Sequence, residues 1–241
     1  MEAIRLLLLI FGILAVWPAC AGPTLVINSS YLAPLTSPAH DGVMDRFYAE
    51  LGRRTGIDFV IQLLPAERCL LNADAGIDDG DVGRIAGLDA RYPNLVRVAE
   101  PVMSFQLSAF SRSARFRVDG PDSFQGHMVG IVTGWKILEQ KTSGLASVVK
   151  LESQEQLFSM LDKDRIDVAL IEKSMGLYAI KSMKLNGIAV LHPALVEGEW
   201  FLYLNKKHQA LLPELNAAIR QMKKDGSYQR IFASALKAYA Q

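Results

Sequence analysis

The sequence predicts an α/β fold assembled from two similar units in one chain, and three observations carry that prediction. Short apolar runs alternate with segments whose apolar residues recur at helical spacing, the pattern of strand-helix-strand units and of a parallel sheet. The alternation breaks at the polar stretch Ser111–Pro121, which holds three arginines, Gly120 and Pro121, and then resumes. The composition is that of a globular protein, with 241 residues of which 50% are hydrophobic and 21% charged. Disorder and rod-like coiled coils are thereby excluded.

The opening residues read as a secretory signal. Arg5 supplies a positive start and Leu6–Trp17 an apolar stretch. Ala19-Cys20-Ala21 then puts small residues where a signal peptidase reads them, so cleavage is expected after Ala21. The apolar stretch is shorter than the ~20 residues a membrane-spanning helix needs. Lipidation of Cys20 is the alternative, although Trp17-Pro18-Ala19 makes a poor lipid-attachment motif. Once residues 1–21 are removed, Cys69 is the remaining cysteine. No intramolecular disulfide is expected, and Cys69 reads as a small buried hydrophobe on a helix.

Thr24–Asn28 is a short apolar run suited to a buried strand, followed by a polar loop to His40. Behind Asp41, the residues Val43, Met44, Phe47, Tyr48 and Leu51 recur at helical spacing, and Gly56 stands where a glycine ends a helix. Ile57–Leu64 is the next strand. Pro65 opens a helix through Ala75, closed by Gly76. A loop-like region follows Ile85 until Leu95–Val98, and Phe105–Phe110 reads as one more strand.

Beyond the polar break the pattern restarts, with Met128–Val132 as strand, Trp135–Thr142 as helix and Ser147–Leu151 as strand. Ser153 and Gln156 have the spacing of a capping box for a helix ending near Lys163. Val168–Ile171 reads as strand, Lys173–Met183 as helix and the aromatic-rich Trp200–Leu204 as strand. Pro213 then begins an amphipathic helix to Lys224 with Leu212, Leu215, Ile219 and Met222 on its apolar face, and Tyr228–Tyr239 forms a last helix.

Several function classes fall away on composition and motif. The 26 Lys and Arg nearly balance the 25 Asp and Glu, for a net charge of +1, and no basic block is interleaved with aromatics, so no nucleic-acid partner is expected. The acidic group Asp74, Asp78, Asp79 and Asp81 fails the alternating pattern of a calcium loop. The four histidines are scattered without metal-ligand spacing. No nucleophile elbow, phosphate loop or dinucleotide fingerprint is present, so neither a cofactor nor a metal is expected.

Three stretches resemble a known family. They are FQGHMVGIVTGW (Phe124–Trp135), LFSMLDKDRIDVALIE (Leu157–Glu172) and LLPELNAAIRQMKKDGSYQRIF (Leu211–Phe232). In that order and spacing they are similar to the bacterial extracellular solute-binding proteins of family 3, the periplasmic receptors of polar amino-acid ABC importers. The resemblance implies a two-lobe, type II or Venus-flytrap, periplasmic-binding-protein-like fold. Residues 22–110 plus 204–241 would form lobe 1 and residues 111–203 lobe 2, with Phe105–Ser111 and Trp200–Leu204 as the two crossover segments of a hinge. A ligand that touches both lobes binds only the closed form and so shifts an open-closed equilibrium.

In such sheets ligands sit beyond the carboxyl ends of the strands, which singles out Ser29, Ser30, Tyr31, Arg84, Thr133, Gly134, Trp135 and Glu172. Thr133 and Gly134 precede a helix, where free N–H groups favour a carboxylate, although Thr133 also suits a plain helix cap. Arg84 resembles the family's arginine that forks onto a ligand carboxylate, and is favoured over Arg91 and Arg68. Glu172 stands where the family has an aspartate for the α-amino group. Tyr31 and Trp135 are candidates for stacking on a ligand. The resulting expectation is a monomeric periplasmic receptor, not an enzyme, that delivers a small polar solute, an amino acid or related carboxylate, to an inner-membrane ABC permease. A dehydratase-like enzyme on the same scaffold and a ligand-sensing partner of a histidine kinase are the alternatives.

Overall fold

A computed structural model describes residues 22–237. The expected signal segment, residues 1–21 with Cys20, lies outside the described residues. In chain order the elements are β1 (Thr24–Ser29), α1 (Val43–Thr55), β2 (Asp58–Leu63), α2 (Ala66–Ala75), β3 (Gly80–Arg84), β4 (Leu95–Arg97) and β5 (Met103–Ser111). There follow β6 (Val129–Val132), α3 (Lys136–Lys141), β7 (Val148–Leu151), α4 (Gln154–Asp162), β8 (Val168–Glu172), α5 (Lys173–Ser182), β9 (Ala189–Asn205), α6 (Leu212–Lys224) and α7 (Ser227–Lys237).

The helices form where the apolar spacing places them. Val43, Met44, Phe47, Tyr48 and Leu51 of α1 are all buried, and Gly56 adopts the left-handed conformation (φ 68°) that ends the helix at little steric cost. Pro65 precedes the first residue of α2, and Gly76 closes it in the same way. Leu215, Ile219 and Met222 of α6 are fully buried. The cap at Ser153 forms in part as expected. Its hydroxyl accepts the Gln156 N–H at 3.2 Å, but the Gln156 side chain accepts from Glu152 N–H, one residue earlier than a capping box requires.

The expectation of a parallel sheet is corrected to a mixed one. The strands run in the order β2-β1-β3-β9-β5-β8-β6-β7, with β4 beside β9. The βαβ units pair in parallel, β1 with β2 and β3, and β6 with β7 and β8. Every pair that includes β5 or β9 is antiparallel. This is a curled α/β sheet in which two parallel groups are joined through two long strands.

The joining strand β9 is also longer than its sequence suggests, beginning at Ala189 rather than Trp200. Its C-terminal part pairs with β3 and β4 and its N-terminal part with β5, from Met103 opposite Trp200 to Ser111 opposite Ala189. Pro193 hid this extension, because proline removes a ladder donor and argues against a strand. It is tolerated here in the irregularity between the Leu107–Val196 and Ala109–Leu191 pairs.

Most buried apolar side chains form a cluster from Leu25 to Phe232 that passes through Phe105, Leu107, Trp200 and Leu202 of the joining strands, and Leu70, Ala73, Tyr92, Leu95, Phe201 and Tyr203 form a second, smaller one. At the α5 edge of the larger cluster, Gly176 faces the ring of fully buried Phe110. A Cβ added there would lie 2.3 Å from the ring. Gly176→Ala gains about 1 kcal/mol of helix propensity but overpacks a ring that cannot retreat. With overpacking costing about 1–3 kcal/mol, a net loss of up to about 2 kcal/mol is expected, measured by urea denaturation. A stabilised variant would refute this packing.

Candidate functional site

A cavity of about 150 Å³ lies between the loop ends of the first group of strands, the start of α3 and the joining strands. Of the residues singled out from sequence, Ser30, Tyr31, Arg84, Gly134 and Trp135 line it, and Ser29, Thr133 and Glu172 do not.

Tyr31 is fixed by the turn that leaves β1. Its N–H donates to Ser29 Oγ (3.2 Å), its carbonyl accepts from the Thr36 hydroxyl, and its own hydroxyl donates to Gly83 O at 2.6 Å. Burial holds the phenol far above its ordinary pKa. Its ring stacks on Trp200 (4.3 Å, 23°), which stacks in turn on Phe105 (4.9 Å, 17°), while Trp135 meets Tyr31 edge-on at 6.0 Å. Gly198 makes this stack possible: a Cβ there would stand 2.9 Å from the Phe105 ring. The pile therefore runs as a column of stacked aromatic rings at the joining strands.

Arg84, at the end of β3, donates from Nη2 to Asp81 Oδ2 at 2.8 Å and to Ala66 O at 3.3 Å, and its side chain is 14% exposed. Its Nε is buried and has no hydrogen-bond partner among the described residues. Burial opposes the charge, yet the Asp81 carboxylate keeps the guanidinium protonated, and burial in turn pushes the Asp81 carboxyl up. The arginine expected to fork onto a ligand is thus already paired within its own group of strands.

The start of α3 is likewise engaged. Gly134 takes φ +90°, a conformation that suits glycine, and its N–H donates to Glu139 Oε1 at 3.2 Å. The Glu139 carboxyl sits below its ordinary pKa; burial pushes it up, but this hydrogen bond and the ammoniums of Lys136 and Lys150 outweigh that push. Thr133 is not the helix cap, because α3 starts at Lys136 behind Trp135 and the Thr133 N–H continues the sheet by donating to Leu151 O. Glu172, 3% exposed, turns to its own helix. Its Oε2 accepts from the Ser174 hydroxyl and from Met175 N–H (3.0 Å), capping α5, and burial raises its pKa.

The structure adds residues that sequence reading did not assign to the site. The resemblance places Trp200 and Phe105 only in crossover segments, yet both line the cavity, as do Glu67, Arg91 and Lys136. An aromatic residue on each crossover segment was the available signal for the first two. Arg91 was legible as a candidate but sits in a Pro-containing loop of the kind that is usually solvated. Each aspartate of the acidic group has a structural duty: Asp74 accepts from Asn94 N–H, Asp78 from Asn28 and Asn72, Asp79 from Val26 N–H, Lys207 and His208, and Asp81 from Arg84. Cys69 is buried, and burial pushes its thiol up to about 12. Among the described residues, no helix is long and apolar enough to cross a membrane.

The Asp81–Arg84 pair yields a test. Asp81→Asn leaves a nearly buried guanidinium without its counter-charge and is expected to cost about 3 kcal/mol in urea denaturation. The double variant Asp81→Asn with Arg84→Met removes both charges and is expected to recover most of that loss. Equal losses in the two variants would show that the pair is not what holds this corner.

No family model matches the chain. Solved structures match it closely in shape. A histidine kinase sensor domain with similarity to periplasmic binding proteins matches with a TM-score of 0.75 at 16% identity, covering 90% of this chain and 97% of that one. An ancestral arginine-binding protein bound to glutamine matches at 0.72 and 16%, covering 88% and 96%. A substrate-binding protein of an amino acid ABC transporter from Streptococcus pneumoniae, bound to L-arginine, matches at 0.72 and 14%, covering 91% and 97%. These neighbours are binding and sensor proteins rather than enzymes, and they establish the two-lobe periplasmic-binding-protein-like fold. In sequence, an uncharacterized protein of Shewanella oneidensis is 30% identical over 193 residues, 76% of this chain and 70% of that one, and the chain belongs to the same family as that protein.

Proposed function

We propose that the protein is a periplasmic solute receptor, exported by its N-terminal segment, that captures an amino acid or related carboxylate between two lobes and presents it to an inner-membrane ABC permease. The observation that carries this reading is the cavity itself. Tyr31 and Arg84 from one group of strands and Gly134 and Trp135 from the other line it together, over a wall built on the joining strands. A solute there touches both halves, so its binding favours the closed arrangement. The lobes are residues 22–110 plus 204–241 and residues 111–203, and the protein works as a monomer without a cofactor.

The likeness to amino-acid-binding proteins, one of them a transporter's substrate-binding protein, supports this reading. The likeness to a kinase sensor domain favours a second reading on the same site, in which the closed form docks on a histidine kinase instead of a permease. Glu172, the acid/base that the dehydratase-like alternative would use, does not line the cavity, and that alternative recedes. Arg84 is paired with Asp81, and Glu172 caps a helix.

Protein lacking residues 1–21 retains Trp135 and Trp200 as its tryptophans, both at the cavity, so its intrinsic fluorescence reports binding directly. A panel of amino acids and small carboxylates is expected to contain a ligand that changes this fluorescence. At about a hundred times its Kd, such a ligand raises the melting temperature by about 5–10 °C. A panel with no such compound would overturn the receptor reading for this ligand class, and turnover of the ligand would replace it with an enzymatic one.

A further inference from the structure

We infer that the cavity selects a carboxylate carried on a compact apolar body about the size of one aromatic ring, and rejects the α-ammonium group of an amino acid. This rests on the receptor reading above and narrows its ligand.

Size and wall chemistry set the body of the ligand. A space of about 150 Å³ matches an apolar cavity that takes a single benzene ring. The stack of Tyr31, Trp200 and Phe105 lines it with aromatic carbon, and Leu70, Leu107 and Ile137 complete an apolar surround. A flat or branched hydrocarbon group gains there what it loses in water.

Charge sets the head group. The cations lining the cavity are Arg84, Arg91 and Lys136, and among the described residues that line it Glu67, exposed, is the one carboxylate. Arg91 forms no ion pair among the described residues; its guanidinium lies over the Tyr92 ring at 5.7 Å. A carboxylate at this rim meets an uncommitted cation. An ammonium meets the unpaired Arg91 beside two cations already paired with Asp81 and Glu139, and the one carboxylate in the lining, Glu67, is exposed, so its lost hydration is poorly offset.

The groups that would receive a zwitterion are occupied. Glu172, the candidate for the ammonium, spends its Oε2 on Ser174 and Met175 and is absent from the lining. The Gly134 N–H, the candidate for an amino acid's carboxylate, is taken by Glu139. Recognition of the anion therefore falls to side-chain cations at the rim rather than to the backbone and Glu172.

The probe pair is 3-phenylpropionate and L-phenylalanine, which share ring, chain and carboxylate and differ only by the α-ammonium. Titrated into protein lacking residues 1–21 and followed by tryptophan fluorescence and calorimetry, 3-phenylpropionate is expected to bind at least tenfold more tightly. Arg91→Gln is expected to weaken it severalfold. Binding of L-phenylalanine, or of any other amino acid in the panel, as tightly as or more tightly than 3-phenylpropionate overturns this inference and leaves the receptor reading standing. Failure of every amino acid and carboxylate overturns both.

Discussion

The antiparallel pairing of Met103–Ser111 with Ala189–Trp200 is the constraint on which the rest of the molecule depends. The βαβ units on either side are parallel and close on themselves, so neither has a reason of its own to lie beside the other. A seventeen-residue strand that pairs with β3 and β4 at one end and with β5 at the other gives them one continuous ladder. The aromatic pile of Tyr31, Trp200 and Phe105 sits on this ladder and adds apolar burial where the two groups meet. A two-strand connection is also the arrangement that lets two lobes rotate as units, since bending it costs fewer contacts than separating packed cores.

Around that frame, the polar groups are satisfied locally. Asp81 neutralises Arg84, Glu139 receives the Gly134 N–H, and Glu172 caps α5. Buried charges and donors left alone would each cost far more than their interactions return, so the fold resolves them within a few residues of sequence. The consequence for function is that the positions resembling a zwitterion-binding site are spoken for by internal partners. The cavity then offers aromatic surface and rim cations.

Much of this architecture is legible in the sequence. The helical spacing in Val43–Leu51, the glycines at positions 56 and 76, and the Ser153 cap each correspond to an element with its expected end. That Tyr31, Arg84, Gly134 and Trp135 stand together around the cavity was legible because the ends of strands in an open α/β sheet face one side. Residues 189–199 were not legible as strand, because Pro193, Gly198 and two glutamates argue against one locally. Only the partner strand β5 and the irregularity around Pro193 make the segment extended.

The sequence by itself determined the helices, the parallel units, the polar break between them and which residues would stand at the strand ends, since all of these follow from spacing and turn chemistry within a few residues. Tertiary structure alone decided that Glu172 turns to its own helix, that Glu139 takes the Gly134 N–H and that Trp200 lies between Tyr31 and Phe105. The first two are contacts between near neighbours in sequence for which the local pattern leaves more than one arrangement open, and the third brings together rings from distant parts of the chain that no local pattern encodes.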